Sequence, residues 1–292
     1  MKKVKTTINI DEGLWKKFSH LIIEERGYRK KNEVIENLIQ QYVDQQDKCS
    51  EKRIKNAIIL AAGIGSRLKP LTSNIPKCLL TINRITILEH QVNNLEKCGI
   101  EDITIIIGYK AIKVKEFCQK QGWFFNIIED RQFQDHNNLF SLWVAQKKVP
   151  GGFICLNGDV VFDENIVKNL LNCKDNVCLA VDHKECTEED MKVKVAGDFV
   201  KKINKKLFHN EVYGEFTGIS FFSEKGAQKL KEMLAQMSDT MLKNAYVATA
   251  IQKLIDSDVP VYSHDIGDRF WADIDFVEDL NQVRDYFTTR EG

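Results

Sequence analysis

Three kinds of side chain in this sequence have the types and spacing to handle a phosphate. In AIILAAGIGSRLKPL, residues 57–71, an apolar run ends at two alanines and is followed by Gly63, Gly65, Ser66 and Arg67. Glycines after a strand let the backbone bend sharply and point N–H groups at an anion. An arginine within such a bend adds a planar fork that bridges two phosphate oxygens. Further on, Lys77 follows Pro76 directly before an apolar run, a placement that favours a role over a solvated surface lysine. Asp159 ends the run FICLNGD, at the strand edge where α/β folds place ligands. Asp273 and Asp275 in WADID alternate along an extended segment, so both face one side. Asp159 with one of this pair can hold a magnesium ion between carboxylates and retained waters.

The two common phosphate loops do not match. A dinucleotide-binding turn wants glycine where Leu68 stands, and no Gly-Lys-Ser/Thr follows at P-loop spacing. Taken alone, the bend is also compatible with a plain tight turn, and Asp159 with a helix cap.

These residues need a scaffold, and the chain from Asn56 onward supplies one. AIILAA, ITIIIGY, FICLNGD and VCLAVD are short apolar runs separated by helix-like stretches such as TILEHQVNNLEKCGI. That alternation predicts an α/β domain over residues 56–292 around a mainly parallel sheet. Residues 44–55, DQQDKCSEKRIK, are polar, and 48–55 read as a linker. Before them lies a smaller module, residues 1–47. Val4, Thr6, Ile8 and Ile10 alternate with Lys3, Lys5, Thr7 and Asn9 as in a strand. Asp11 can cap a helix carrying Leu14, Phe18, Leu21 and Ile22, and Asn32 a second carrying Val34, Ile35, Leu38, Ile39 and Tyr42. One strand and two short helices cannot bury a core alone, so the strand wants a partner, most simply a second copy of itself.

Composition narrows the class. The 292 residues balance 42 Lys+Arg against 42 Asp+Glu, so no overall field recruits nucleic acid. The 8 cysteines never form CxxC and the 6 histidines are dispersed, which offers no zinc-ligand spacing. MKKVKTTINI lacks the apolar core of a signal peptide and no run reaches membrane-spanning length; a cytoplasmic protein away from membranes is expected.

LAAGIGSRLKPLT followed by IPKCLLTINRITILEHQVNNLEKCGI resembles the N-terminal signature of the nucleotidyltransferases that make sugar nucleotides and CDP-alcohols. With ITIIIGY, LNGDV, GEFTGIS and FWADIDFVEDL, the resemblance covers roughly residues 56–287. It implies a Rossmann-like fold. It also implies that Leu60, Ala61, Ala62, Gly63, Gly65, Ser66 and Gly158 wrap the nucleotide, that Arg67 and Lys77 meet the reacting phosphates, and that Asp159 and Asp275 bind magnesium, with Asp273 as substitute or substrate contact. DHNNLFSLW, residues 135–143, is similar to the Asn-Asn segment of CTP:phosphocholine cytidylyltransferases and their relatives, as are YGEFTGIS and FWADID. By that resemblance CTP is the nucleotide, Asn137 or Asn138 caps a helix or reads the cytosine edge, and Lys192 and Lys205 clamp the acceptor phosphate. Tyr213, Glu215, Trp143, Trp271 and Phe270 supply residue types that hold a choline-like cation, although aromatics near a sheet edge are more often core. Phosphocholine-like, aminoethylphosphonate and inositol phosphate acceptors all remain open.

The N-terminal module resembles the ribbon-helix-helix DNA-binding family. That implies a homodimer, Lys3, Lys5 and Thr7 facing the major groove, and a phosphate near Lys31 and Asn32. The competing expectations are a sugar-1-phosphate uridylyl- or thymidylyltransferase, and a DNA-binding regulator whose large domain senses nucleotide without turnover.

Overall fold

The computed structural model describes residues 7, 9–26, 32–40 and 54–290 of the chain. It divides into two units, Met1–Arg53 and Ile54–Gly292. In the first, helix α1 spans Glu12–Arg26 and helix α2 spans 32–40. Asp11 starts α1 as expected, accepting from the Leu14 N–H at 2.8 Å. Asn32 lies inside α2, not before it. The strand expected over Val4–Ile10 falls mostly outside the described residues, as do Lys3, Lys5, Lys31 and Tyr42. Leu14, Leu21, Leu38 and Ile39 are all exposed in the single chain.

The second unit runs β1 (Asn56–Ala61), β2 (Thr81–Ile82), β3 (Ile85–Thr86), α3 (Ile87–Lys97), β4 (Asp102–Ile107), α4 (Ala111–Lys120), β5 (Asn126–Glu129), α5 (Asn138–Gln146), β6 (Phe153–Asn157), β7 (Val160–Phe162) and α6 (Glu164–Leu171). It continues through β8 (Val177–Asp182), β9 (Lys192–Ala196), β10 (Phe199–Ile203), β11 (Gly214–Phe222), α7 (Glu224–Ala235), α8 (Asp239–Asn244), α9 (Val247–Asp256), β12 (Val261–Asp265), β13 (Trp271–Asp273) and α10 (Val277–Arg290).

Nine strands form one sheet in the order β5-β4-β1-β6-β11-β8-β12-β10-β9. All but β10 and β11 run the same way, since β11 is antiparallel to both β6 and β8 and β10 is antiparallel to both β12 and β9. The mainly parallel sheet is therefore present, with β11 running against it at its centre.

Strand alternation divides the apolar residues between two layers. Ala57, Ile59 and Ala61 of β1 join Leu88 and Val92 of α3 and Val114 of α4 on one face. Ile58 and Leu60 join Leu139 and Leu142 of α5, Leu230 of α7 and Ile251 of α9 on the other. Each fully buried Ile or Leu contributes about 1.5–3 kcal/mol, which fixes β1 at the centre of the unit. A third, smaller cluster joins Leu68, Ile82, Ile87, Val161, Ile274 and Leu280. This cluster matters most for the site, because it ties the glycine-rich bend to the segment carrying Asp273 and Asp275.

Candidate active site

The bend leaves β1 at Ala61 and turns at Gly65, whose φ of 63° lies in the left-handed region where glycine alone is unstrained. A side chain there would also meet Lys77 Cβ at 3.1 Å and Thr72 Cγ2 at 3.2 Å. Gly63 differs, with open space where its Cβ would stand. The Thr72 hydroxyl donates to the Gly65 carbonyl at 2.8 Å, and the Tyr109 hydroxyl donates to the Thr72 carbonyl at 3.0 Å. Ser66–Leu68 form a short 3₁₀ turn that buries Leu68 completely and leaves Arg67 reaching outward.

Lys77 opens another 3₁₀ turn, Lys77–Leu79, held from Pro76 onward by the Leu79 N–H on the Pro76 carbonyl at 2.9 Å. Its ammonium is largely buried and donates to Asp159 Oδ2 and to Asp275 Oδ1, both at 2.7 Å. Asp159 stands in the turn between β6 and β7. Asp273 ends β13, which pairs antiparallel with β7 and sets Asp273 opposite Val160. The Ile274 N–H donates to the Asp159 carbonyl at 3.2 Å, locking the two acidic segments together. Asp279, in the first turn of α10, accepts from the N–H groups of Asp275 and Phe276 at 2.9 and 2.7 Å. It thereby shapes the short loop that presents Asp275. Sequence reasoning missed Asp279; its signal is the acid placed in the first turn of a helix, where it can accept from N–H groups just upstream.

Ligand atoms of Asp159, Asp273 and Asp275 lie within 4.8 Å of one another. Burial alone would push the Lys77 ammonium down, but the three carboxylates outweigh it and hold it well above the ordinary lysine value. Asp273 is held well above the usual carboxylate range by burial and by the neighbouring Asp159. Asp275 goes the other way, because Lys77 and Arg67 overcome its burial. Asp159 Oδ1 and Asp273 Oδ1 are buried with no hydrogen-bond partner. Buried oxygens left bare are costly unless something else binds them, and a hard divalent cation is what an all-oxygen donor set suits. Arg67 donates to Asp275 Oδ2 at 3.0 Å and to Glu189 Oε2 at 3.4 Å, with its guanidinium 5.3 Å from the Phe276 ring centre.

Two hollows lie nearby, the first directly against Lys77 and Asp159 and the second joined to Arg67 through Glu189 and Lys205. One, of about 220 Å³, is lined by Leu60, Ala61, Ala62, Gly63, Lys77, Asn138, Gly158 and Asp159. Gly158 is required there: a Cβ would lie 2.7 Å from both Ala61 Cα and the Leu60 carbonyl. Asn137 precedes α5 but its side chain does not cap it; it donates to the Asn244 carbonyl at 3.0 Å. Nor does Asn138 cap the helix, since its amide donates to Asn157 Oδ1 at 3.3 Å and its oxygen accepts from the Val247 N–H at 3.0 Å. The expected asparagine cap is thus replaced by bridges from α5 to β6 and to the start of α9. Sequence reasoning also missed His136 and Asp130, a buried pair 2.9 Å apart that fixes the segment leading into α5.

The second hollow, of about 860 Å³, is lined by residues from 183–192 and 205–213 and includes Lys192, Lys205 and Tyr213. Lys192 begins an antiparallel hairpin of β9 and β10, and Lys205 follows it. Lys192 sits in its wall with its ammonium turned to backbone, donating to the Lys205 carbonyl at 2.8 Å and the Glu188 carbonyl at 3.5 Å. Lys205 reaches Glu189 at 3.5 Å, so Glu189 bridges Lys205 and Arg67. The Tyr213 hydroxyl donates to Asp265 at 3.0 Å and its ring stacks on His183. Glu215 is pushed up by burial and pulled back by Lys184, which lies 2.8 Å away. Trp271 donates its indole N–H to Asp182 at 2.9 Å. Of the five residues expected to hold a cation, two lie elsewhere. Trp143 packs with α5 under Lys147, and Phe270 stacks on Tyr286 in the third cluster.

Residues 57–247 match the family described as the MobA-like NTP transferase domain. The chain is 28% identical over 252 residues to the CTP:phosphoglutamine cytidylyltransferase of Campylobacter jejuni, covering 77% of this chain and 97% of that protein. It is 26% identical over 230 residues to the choline-phosphate cytidylyltransferase of Streptococcus pneumoniae, covering 78% and 96%. Among solved structures, the inositol-1-phosphate CTP transferase from T. maritima shares the fold, with a TM-score of 0.71 at 22% identity over 81% of this chain and 96% of that one. The glycine-rich bend, the acidic cluster and these similarities agree: the chain belongs to the MobA-like NTP transferase family and is a nucleotidyltransferase.

Proposed function

We propose that the protein transfers CMP from CTP to a small phosphorylated alcohol or phosphonate and releases pyrophosphate. The observation that carries this reading is the convergence of Arg67, Lys77, Asp159, Asp273 and Asp275 at the edge of the smaller hollow, supported by cytidylyltransferases among the relatives. In the smaller hollow, the N–H groups of the bend and the open face of Gly63 receive the nucleotide, and the Asn138 amide meets the cytosine edge. The acceptor enters the larger one, beside Lys205 and Tyr213, with Glu215 and Trp271 behind Lys184 in its wall.

An acceptor phosphate or phosphonate oxygen attacks the α-phosphorus in line, and the bond to the bridging oxygen of pyrophosphate breaks. That oxygen is already ionised at neutral pH, so no general base is needed; positioning and charge stabilisation carry the rate. Asp159 and Asp275, with Asp273 beside them, would hold a magnesium ion. When bound, it supplies Lewis-acid stabilisation of the phosphoryl oxygens and a template for both substrates. Arg67 and Lys77, which bond to carboxylates in the free chain, turn to the charge building on the departing pyrophosphate.

Pyrophosphate release with CTP, UTP and dTTP across phospho-alcohols, phosphonates and sugar 1-phosphates tests this. Preference for CTP with a phospho-alcohol or phosphonate is expected; preference for UTP or dTTP with a sugar phosphate overturns it.

For residues 1–47 we infer a dimerising module of ribbon-helix-helix type, joined through 48–55 to the catalytic domain of 56–292. The exposed Leu14, Leu21, Leu38 and Ile39 support it, since two short helices hold their apolar stripes only against a partner. DNA is the ligand such a ribbon presents itself to.

A further inference from the structure

Behind Lys184, in the wall of the larger hollow, lies a group of side chains that bears on which acceptor enters it. Groups that recognise a substrate ammonium are an aromatic face and a carboxylate, and both are present side by side. Trp271 is fixed by its N–H on Asp182, and Glu215 lies opposite Asp182 in the β11–β8 register. On β13, Trp271 and Asp273 are two residues apart and therefore share a face, which sets the ring next to the acidic cluster.

That box is already filled by the chain itself. Lys184 Nζ lies 2.8 Å from Glu215 Oε2, 4.0 Å from Asp182 Oδ2 and 5.0 Å from the centre of the Trp271 ring. Only 12% of the Glu215 side chain is exposed, so its carboxylate offers little further room to a second cation. Asp190 adds a third negative charge to the surroundings of Lys184 and Glu215, which holds the ammonium in place more firmly. The wall of the hollow is basic as well, with Lys184, Lys192, Lys205 and Lys206 against Glu185 and Glu188.

We propose that Lys184 is a built-in counter-cation that sets acceptor specificity: it occupies the aromatic-and-acid box and selects an acceptor whose far end carries no positive charge. The inference rests on the cytidylyl-transfer reading for the identity of the reaction. A substrate ammonium entering this box must expel a bonded lysine from equivalent contacts, an exchange of one cation for another with no net gain. If Lys184 stays, the two cations repel one another across the ring. A neutral or anionic far end packs against Trp271 with Lys184 in place, and hydroxyl or carboxylate groups accept from its remaining hydrogens.

The test compares phosphocholine with its uncharged carbon isostere, 3,3-dimethylbutyl phosphate, which has the same shape. With CTP, the wild-type chain is expected to favour the isostere in kcat/KM by at least about tenfold, and Lys184→Ala to erase or reverse that ratio. Lys184→Gln, which keeps a donor to Glu215 without the charge, is expected to behave alike and guards against loss of folding in the alanine variant. Equal or better use of phosphocholine by the wild type, or an unchanged ratio in both variants, overturns the proposal. Calorimetric titration with tetramethylammonium is independent of turnover: no binding to the wild type and binding to both variants is expected, and binding to the wild type refutes it. If no acceptor is turned over while this titration behaves as expected, the cytidylyl-transfer reading fails and the role of Lys184 stands.

Discussion

Lys77 and Asp275 are 198 positions apart in the chain, and their side chains meet at 2.7 Å. The same ammonium bonds Asp159 at 2.7 Å, so one lysine closes a ring of charge over three distant segments. In the free chain Lys77 neutralises carboxylates that a cation and a nucleotide would otherwise engage. This gives the site a defined geometry before either arrives.

Arg67 and Asp159 carry the first prediction. Arg67→Ala and Asp159→Asn are each expected to lower pyrophosphate release by ~100-fold or more, the usual loss on removing one preorganised charge. Far-ultraviolet circular dichroism should match the wild type, since neither residue is in the core. Near-normal turnover in either variant would refute a catalytic role for the residue replaced.

Lys77→Met should differ from Arg67→Ala in stability as well as in rate. Removing the ammonium leaves Asp159 without its ion-pair partner and Asp275 with Arg67 alone, at a cost of about 1–3 kcal/mol. Arg67 is half exposed, and its loss should barely move the urea midpoint. Equal midpoints for the two variants would show that the Lys77 pairs do not stabilise the fold.

Asp273 predicts an opposite sign. Its carboxyl titrates above the ordinary value of 3.8 in the folded chain, so the folded state binds the extra proton. Its own contribution to stability is therefore fully present below 3.8 and is lost as the pH rises through the raised value, wherever metal is kept away with EDTA. Asp273→Asn removes that penalty and should melt higher than the wild type at neutral pH, by about 2–4 °C for each kcal/mol. The gap should close on acidification toward about pH 4. A variant that melts lower at neutral pH would contradict a raised Asp273.

The glycines separate by what surrounds them. Gly158→Ala forces a Cβ to 2.7 Å from backbone atoms of Leu60 and Ala61, and is expected to destabilise by about 1–3 kcal/mol. Gly63→Ala meets open space and should leave the melting temperature unchanged while raising KM for CTP, because the added methyl faces the nucleotide hollow. An unaltered KM would remove Gly63 from the nucleotide site.

Residues 1–47 can be tested apart from catalysis. Deleting them should convert a dimer to a monomer in sedimentation and abolish DNA retardation at moderate salt, with turnover retained. A monomeric full-length chain, or a dimer that survives deletion, contradicts the module assigned to them.

Much of the catalytic unit is legible in the sequence because its physics is local. AIILAA must be a buried strand, since alternate residues serve two apolar layers, and the glycine with positive φ marks the bend after it. The acids of WADID share a side by strand periodicity alone. What the sequence leaves open depends on long-range pairing. Asn137 and Asn138 look like helix caps, yet α8 and α9 lie close enough to take their side chains instead. Trp143 and Phe270 look like cation-binding aromatics until the packing sets one against the α5-side core layer and the other against the third cluster. Lys184 looks like a solvated loop lysine, and only the pairing of β11 with β8 and the position of β13 bring Glu215, Asp182 and Trp271 around it. By itself the sequence determined which residues bear charge and which strands are buried, because both follow from side-chain type and short-range period. The tertiary structure decided which charges meet, because contacts between segments some two hundred residues apart follow from sheet order and shared core clusters, which no local pattern encodes.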